Sequence, residues 1–181
     1  SNSGAEAVEA AIKTARKYAY VNISKKKNEV VAFSDAFHGR TMMAIALNGS
    51  DRFVEGYGPM PGGIKHHQFN EIKGLEKTIN KNTAAVVIEL VQGEAGIIKA
   101  QKTFIQKIKK LCKQHKALIV VDEVQSGAGR TGTLFAYEQF GIKPDIMCCA
   151  KGIGGGIPIG AVLTSSKIAD CMQLGSHGST F

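Results

Sequence analysis

Two residues have types and positions that could support covalent chemistry, Lys151 and Asp122. Lys151 follows the apolar residues 148–150 and precedes the glycine-rich residues 152–156, a setting in which lost hydration can lower an amine pKa and leave it free to condense with an aldehyde. Asp122 ends the apolar run 117–121, and a carboxylate there can keep a pyridine nitrogen protonated. Alone, each has a simpler interpretation, as a solvated lysine or a helix cap. Together they indicate pyridoxal phosphate chemistry.

Hydrophobic periodicity predicts the elements that position these two residues. Apolar residues recur at helical spacing over residues 5–20 and 103–115. Short apolar runs predict strands over residues 30–33, 84–90, 117–122, 145–150 and 159–164. Such an alternation is typical of a mostly parallel sheet with helices on both faces, so the predicted fold class is α/β.

Three acidic or basic residues fall at or just after the ends of predicted strands, namely Glu89, Asp122 and Lys151. Because ligands of parallel sheets bind outside the carboxyl ends of the strands, these side chains are expected along one edge. The segment from Arg52 to Phe69 is rich in glycine and proline and is predicted to be a long irregular loop.

The composition argues against several classes of protein. The chain has 181 residues, of which 44% are hydrophobic and 21% charged, as in a soluble globular domain. No apolar stretch approaches the roughly 20 residues that cross a bilayer, so no membrane association is expected. The net charge of +8 lies on lysines without interleaved aromatic residues, which favours a solvated surface over a nucleic-acid site. Four cysteines without CxxC or metal spacing predict reduced core thiols, no metal site and a cytoplasmic location.

Five motifs occur in the order seen in one enzyme family. They are residues 2–7 (Asn-Ser-Gly-Ala-Glu-Ala), 37–41 (Phe-His-Gly-Arg-Thr), 89–94 (Glu-Leu-Val-Gln-Gly-Glu), 122–127 (Asp-Glu-Val-Gln-Ser-Gly) and 177–181 (His-Gly-Ser-Thr-Phe). On these motifs the whole chain resembles the class III aminotransferases, and residues 153–160 and 175–181 look most like the acetylornithine branch. The resemblance implies that residues 1–181 are the core of the large domain of a fold-type I pyridoxal-phosphate enzyme. It also implies that the family's N-terminal segment and small C-terminal domain lie outside these residues.

The resemblance also implies roles around the ring of pyridoxal 5'-phosphate. Lys151 would hold the cofactor covalently and act as the catalytic base, while Asp122 would stabilise the pyridinium. Gln125 would lie near the 3-oxygen of the ring, and Phe37 would stack on its face. His38, within the same motif as Phe37, is expected to support the loop.

The phosphate of the cofactor is expected at the start of the first predicted helix. Ser3, Gly4 and Ala5 stand there, and the unpaired N–H groups of a helix N-terminus favour an anion. The resemblance adds Thr180, contributed by the neighbouring subunit. It therefore implies a homodimer with shared active sites.

Substrate binding is assigned by the same resemblance to three residues. Arg40 is a candidate for two-point capture of the donor's α-carboxylate, because guanidinium geometry matches carboxylate. Ser179 would contact the same substrate. Glu94 would be a gate that pairs with an arginine from the family's C-terminal region, which lies outside this chain.

The expected function is transfer of the terminal amino group of N2-acetyl-L-ornithine to 2-oxoglutarate in arginine biosynthesis. Two alternatives stay within the family, an enzyme for ornithine, 4-aminobutyrate or succinyl-diaminopimelate, and a non-catalytic fragment. A third is a nucleotide-binding module that uses the glycines of residues 152–160. It is disfavoured because Lys151 precedes these glycines, the reverse of the strand-GxxxxGK[ST]-helix order.

Overall fold

A computed structural model describes residues 1–180 and shows a central sheet with helices on both faces. The α-helices are α1 (Gly4–Asn22), α2 (Met42–Leu47), α3 (Leu75–Thr78), α4 (Lys102–His115) and α5 (Ser166–Ala169). The strands are β1 (Glu29–Phe33), β2 (Ile64–His67), β3 (Thr83–Ile88), β4 (Val91–Gln92), β5 (Ile98–Lys99), β6 (Leu118–Asp122), β7 (Ile146–Ala150) and β8 (Gly160–Thr164). Short 3-10 turns cover Asp51–Phe53, Ala136–Phe140 and Lys151–Gly154.

The main sheet has six strands in the order β2-β1-β3-β6-β7-β8. Every neighbouring pair is parallel except β7 and β8, which run antiparallel. Strands β4 and β5 form a separate antiparallel pair. The predicted α/β class with a mostly parallel sheet is therefore confirmed. Within residues 1–180, no helix is long and apolar enough to cross a membrane.

Alternate residues of the central strands face two separate apolar layers. In β3, Val86 and Ile88 pack in the layer that contains Phe104 of α4. The intervening Ala85 and Val87 pack in the layer formed with α1. Because both faces are covered, the strands are apolar without interruption, and this is why the sequence shows runs rather than alternation.

Helix α4 closely follows its sequence pattern. Its buried residues form the predicted stripe, which comprises Phe104, Ile105, Ile108, Leu111 and Cys112. The lysines between them face outward, apart from the half-buried Lys107. Lys27 departs from the predicted solvated surface, since it is only 2% exposed and its Nζ donates to the carbonyls of Lys81 and His115.

The predicted irregular loop from Arg52 to Phe69 is wrong in one part. Residues Ile64–His67 form the edge strand β2, which pairs in parallel with β1. An edge strand is covered on one side only, and its two middle residues, Lys65 and His66, are exposed. The strand therefore lacks the apolar run by which the others were recognised.

The four cysteines are free and buried, as predicted for core thiols. Burial raises the pKa of each thiol, to about 12 for Cys112 and about 11 for Cys149. Thiols of this kind stay protonated at neutral pH and act as small apolar side chains.

We expect the substitution Phe104→Ala to lower the free energy of unfolding by about 3 to 5 kcal/mol, the usual cost of emptying a buried aromatic site. The Phe104 ring is fully buried, with its centroid 5.2 Å from that of Phe33 and 5.8 Å from that of Phe69. Urea denaturation would measure the change. On the outer face of the same helix, Lys110→Ala should shift stability by no more than about 0.5 kcal/mol. Equal effects of the two substitutions would contradict this packing.

Candidate active site

Three neighbouring strands of the sheet end at the predicted catalytic edge. Glu89 follows β3, Asp122 ends β6 and Lys151 follows β7, and their side chains line one cavity of about 310 Å³. This convergence follows from the parallel order β3-β6-β7, which brings three carboxyl ends side by side. The cavity also contains residues predicted for cofactor or substrate binding, namely Ser3, Gly4, Ala5, Phe37, Glu94 and Gln125.

Lys151 lies where the chain leaves β7 and turns sharply. Its backbone φ is 47°, in the left-handed region that costs a non-glycine residue on the order of 1 kcal/mol. The glycines that follow allow the chain to continue through the 3-10 turn Lys151–Gly154. The side chain borders the site cavity and a second one beside Gln125. It is exposed, so residues 1–180 alone do not provide the desolvation expected from its apolar neighbours.

Asp122 is held rigidly by two hydrogen bonds. Its Oδ2 lies 2.8 Å from Nδ1 of His38, and its Oδ1 accepts from the backbone N–H of Val124 at 3.0 Å. Only 4% of Asp122 is exposed. With both oxygens engaged inside the protein, the carboxylate keeps one orientation at the floor of the cavity.

His38 is the principal partner of Asp122, which the sequence did not reveal. The expected support of the loop is present, because the backbone N–H of His38 donates to Asn48 Oδ1 at 2.7 Å. Burial lowers the pKa of the imidazole, but the hydrogen bond and charge of Asp122, with the charge of Glu89, raise it above its ordinary value overall. The contact with Asp122 therefore favours the protonated imidazole relative to an isolated histidine. Its Nε2 is buried without a hydrogen-bond partner among the described residues.

The N-terminus of α1 forms the end of the cavity opposite the strand ends. Ser3 is the N-cap, and its Oγ accepts from the backbone N–H of Glu6 at 3.2 Å. A Cβ added to Gly4 would lie 2.7 Å from Cγ1 of Val124, so only glycine permits this close approach. The helix end therefore presents backbone N–H groups to the cavity, which suits a phosphate.

Phe37 and Gln125 occupy the walls of the cavity. Phe37 is half-buried, and its backbone N–H donates to Glu89 Oε2 at 2.9 Å. Gln125 fits because Gly93 has no side chain, since a Cβ there would lie 1.3 Å from the Gln125 Oε1. Both residues therefore line the same cavity as Asp122.

Glu89 is a site residue that the sequence analysis noted by position without giving it a role. It is 6% exposed. Burial and the charge of Asp122 raise its pKa, His38 and Lys151 oppose them, and the result is about 7. A carboxyl group that titrates near neutrality beside the predicted catalytic lysine is a candidate proton carrier.

The predicted substrate residues do not all line the site cavity. Arg40 lies in an adjoining cavity of about 290 Å³ that it shares with Glu94. Ser179 and Thr180 line neither of these cavities and instead lie beside α1, where Ser179 Oγ donates to Glu6 Oε2 at 3.2 Å. Phe181, the last residue of their motif, lies outside the described residues. One chain therefore does not bring Ser179 and Thr180 to Lys151.

The whole chain, residues 1–181, matches the protein family described as aminotransferase class-III. The chain belongs to the class III aminotransferases. Pyridoxal phosphate is the cofactor of that family, so the predicted family and its cofactor are confirmed. The individual roles of the site residues stay predictions.

Similar class III relatives are ornithine-type enzymes. The succinylornithine transaminases of Yersinia pseudotuberculosis serotype O:1b (strain IP 31758) and Salmonella paratyphi B (strain ATCC BAA-1250 / SPB7) are 47% and 48% identical. The alignments cover 99% of this chain but 45% and 44% of those relatives, so the chain spans less than half their length. The ornithine aminotransferase structure from Toxoplasma gondii with partial occupancy of PLP superposes with a TM-score of 0.93 at 33% identity, covering 100% of this chain and 44% of that one.

We expect Glu89→Gln to flatten the pH dependence of stability. A carboxyl whose pKa rises on folding from 4.5 to about 7 stabilises the fold at low pH, and that contribution is lost as the pH rises through about 7. Between about pH 5 and about pH 8 the unfolding free energy of the variant should fall by on the order of 2 to 3 kcal/mol less than that of the natural protein.

Urea denaturation at the two pH values would measure the difference. The matched control is Glu55→Gln, an exposed glutamate away from the site cavity. His38 titrates in the same direction, and because the charge of Glu89 helps to raise the pKa of His38, Glu89→Gln should weaken both contributions with the same sign. Parallel curves for the natural protein and Glu89→Gln would contradict the assignment.

Proposed function

We propose that this chain is the cofactor-binding core of an aminotransferase that moves the terminal amino group of an N2-acylated ornithine, with N2-acetyl-L-ornithine as the expected donor, to 2-oxoglutarate. The observation that carries the proposal is the single cavity in which Lys151, the His38-bound Asp122 and the N-terminus of α1 meet. We assign the reaction to arginine biosynthesis in the cytoplasm, a setting that the free cysteines support.

The residues of this cavity fit pyridoxal phosphate. The backbone N–H groups at Gly4 and Ala5 would bind its phosphate, Asp122 would face its pyridine nitrogen and Lys151 would hold its aldehyde carbon. When bound, the cofactor supplies an electron-accepting ring and a carbonyl carbon that takes up the amino group. The chain supplies the orientation, the fixed charges and the proton transfers.

Asp122 would act through the charge of a carboxylate that the protein holds in one orientation. Its Oδ2 lies 2.8 Å from Nδ1 of His38, so an imidazole proton on Nδ1 would be donated to the carboxylate and would hold it in place. Burial lowers the pKa of His38 and the neighbouring Asp122 and Glu89 raise it, with a net upward shift, so the contact favours the protonated imidazole relative to an isolated histidine. This arrangement stabilises an anion in a buried place and aligns it with a protonated ring nitrogen.

Lys151 would transfer the proton at the reacting carbon. It lines the cavity on the same sheet edge as Asp122, and its backbone is left-handed where the chain leaves β7. Glu89 lies on the same wall and titrates near neutrality, so it can buffer the proton that the amine gives up.

Arg40 would receive the α-carboxylate of the donor. Its guanidinium stacks at 5.4 Å from the centroid of Phe37 and at 5.0 Å from that of Phe53, which restricts its rotation. Because the carboxylate does not react, this contact contributes to binding in both the ground state and the transition state.

A homodimer would complete the site. Thr180 lies along α1 rather than in the cavity, which supports its contribution to the site of a neighbouring subunit. Ile157 and Ile159 line the mouth of the cavity and are 73% and 42% exposed. Apolar side chains at the rim of a site are suited to cover by another chain or domain.

We expect Lys151→Ala to abolish transamination, since it removes both the covalent anchor and the base. The assay is conversion of N2-acetyl-L-ornithine and 2-oxoglutarate by the protein that carries this chain. Borohydride reduction followed by peptide mapping should place the cofactor adduct on Lys151 in the natural protein. The exposed Lys73→Ala is the matched control and should keep full activity. Activity of Lys151→Ala within about tenfold of the natural protein would remove the catalytic role.

A subunit-mixing experiment tests the proposed shared site. Thr180→Ala should weaken cofactor retention, measured by dialysis and absorbance. When Thr180→Ala subunits are mixed with Lys151→Ala subunits, hybrid dimers contain one site with both natural residues. The mixture should therefore exceed the average activity of its two parents. An activity equal to that average would show that Thr180 does not act across the interface.

A further inference from the structure

Gln125 forms part of the wall between two cavities. It lines the site cavity of about 310 Å³ and also a second cavity of about 660 Å³. Lys151 lines both cavities as well. The rotamer of Gln125 therefore decides which of the two cavities its amide enters.

Hydrogen bonds hold the backbone around Gln125 but not its amide. The backbone N–H of Gly127 donates to the carbonyl of Glu123 at 2.9 Å, which closes the turn that contains Gln125. Among the residues that the structure describes, the Gln125 amide itself makes no hydrogen bond. A long side chain has several accessible rotamers when nothing fixes it, so packing must select the one observed here.

The packing partner of Gln125 is Gly93. If a Cβ is added to Gly93, its three nearest atoms all belong to the Gln125 carboxamide, and they include Cδ at 2.4 Å and Nε2 at 3.0 Å. The amide thus occupies the space that a side chain of residue 93 would take. The φ of Gly93 lies outside the left-handed region, so alanine suits its backbone conformation. The amide of Gln125 is therefore what an alanine would displace.

The backbone at Gly93 is fixed on both sides and cannot easily withdraw. The preceding Gln92 is only 2% exposed, and its Nε2 donates to the carbonyl of Ser34 at 2.9 Å. The carbonyl of Gly93 accepts from the N–H groups of Gly96 and Ile97, each at 3.3 Å. An added methyl group would therefore move the flexible amide that it meets rather than this backbone.

We propose that Gly93 is a positioning residue for the cofactor, because the absence of its side chain keeps the Gln125 amide at the site cavity. The resemblance to the family places that amide near the 3-oxygen of the pyridoxal phosphate ring. The inference rests on the proposed function, since it takes the site cavity as the place of the ring. Gly93→Ala should displace the amide, and the second cavity has room to receive it. The fold should be kept, because only the far end of a flexible side chain must move.

The test is a double-mutant cycle on the protein that carries this chain, with Gly93→Ala, Gln125→Ala and the double variant. The dissociation constant of pyridoxal phosphate is measured by titrating the cofactor-free protein and following absorbance. Each single variant should raise this constant at least about tenfold, the effect of one lost hydrogen bond to a charged oxygen. The double variant should match Gln125→Ala within about twofold, because the methyl group of residue 93 then has no amide to displace.

A second readout is the pH titration of the absorbance of the bound cofactor. An amide N–H donated to the 3-oxygen stabilises its anionic form, so loss of this donor should move the midpoint up by about one pH unit. Gly93→Ala and Gln125→Ala should shift the midpoint alike. A purely structural effect of Gly93→Ala, with the Gln125 amide still in place, would leave the midpoint unchanged and overturn the proposal.

The matched control is Gly62→Ala. Gly62 is exposed, its φ also lies outside the left-handed region, and an added Cβ would meet no atom within 4 Å. Both readouts should stay unchanged in this variant. If Gly93→Ala does not fold, the double variant should fold, because it lacks the carboxamide. An unfolded double variant, or an effect of Gly93→Ala that persists when Gln125 is already alanine, would overturn the proposal.

The outcomes separate this inference from the proposed function. Transamination of N2-acetyl-L-ornithine by the natural protein is measured beside the binding constants. If the natural protein is active and neither Gly93→Ala nor Gln125→Ala changes cofactor binding, the positioning role is wrong while the proposed function stands. If the natural protein binds the cofactor but does not use this donor, the proposed function fails and the cycle still decides the role of Gly93. Failure of the natural protein to bind the cofactor would overturn both.

Discussion

The buried contact between His38 and Asp122 is the constraint on which the site depends. It connects the segment after β1 to the end of β6 across the intervening strand β3. The same segment is fixed by Asn48, which accepts from the His38 N–H, and by Glu89, which accepts from the Phe37 N–H. Since a buried carboxylate is costly unless it is paired, the contact with His38 compensates for the burial of Asp122 at the floor of the cavity.

The fold was largely readable from the sequence because its strands are buried on both faces. The runs around Val86, Val120 and Met147 have no polar interruption, and the stripe of α4 repeats at helical spacing. Strand β2 was missed because an edge strand needs no such run. Lys27 was missed because its two carbonyl partners come from distant parts of the chain.

The site was predictable where a residue stands at a strand end, and less so where its role arises from packing. Asp122 and Lys151 were found because each ends an apolar run at a strand end that the parallel topology brings to the edge of the sheet. The roles of His38 and Glu89 depend on neighbours from other strands and on burial, neither of which follows from local spacing.

The sheet positions all the main site residues, but it buries only some of them. Asp122, Glu89 and His38 are buried by the chain itself, whereas Lys151 and Arg40 are exposed. The core thus fixes the positions of Asp122, Glu89 and His38. Water around Lys151 and Arg40 would be excluded only by a chain or domain that covers the mouth of the cavity.

The four buried cysteines have a practical consequence for studies in solution. Because thiol reagents react with the thiolate, side chains whose pKa is raised by burial are slow to modify in the folded protein. A cysteine introduced at an exposed position would therefore react first and accept a fluorescent or spin label selectively. Slow alkylation of the natural thiols would in turn report local opening of the core, one strand or helix at a time.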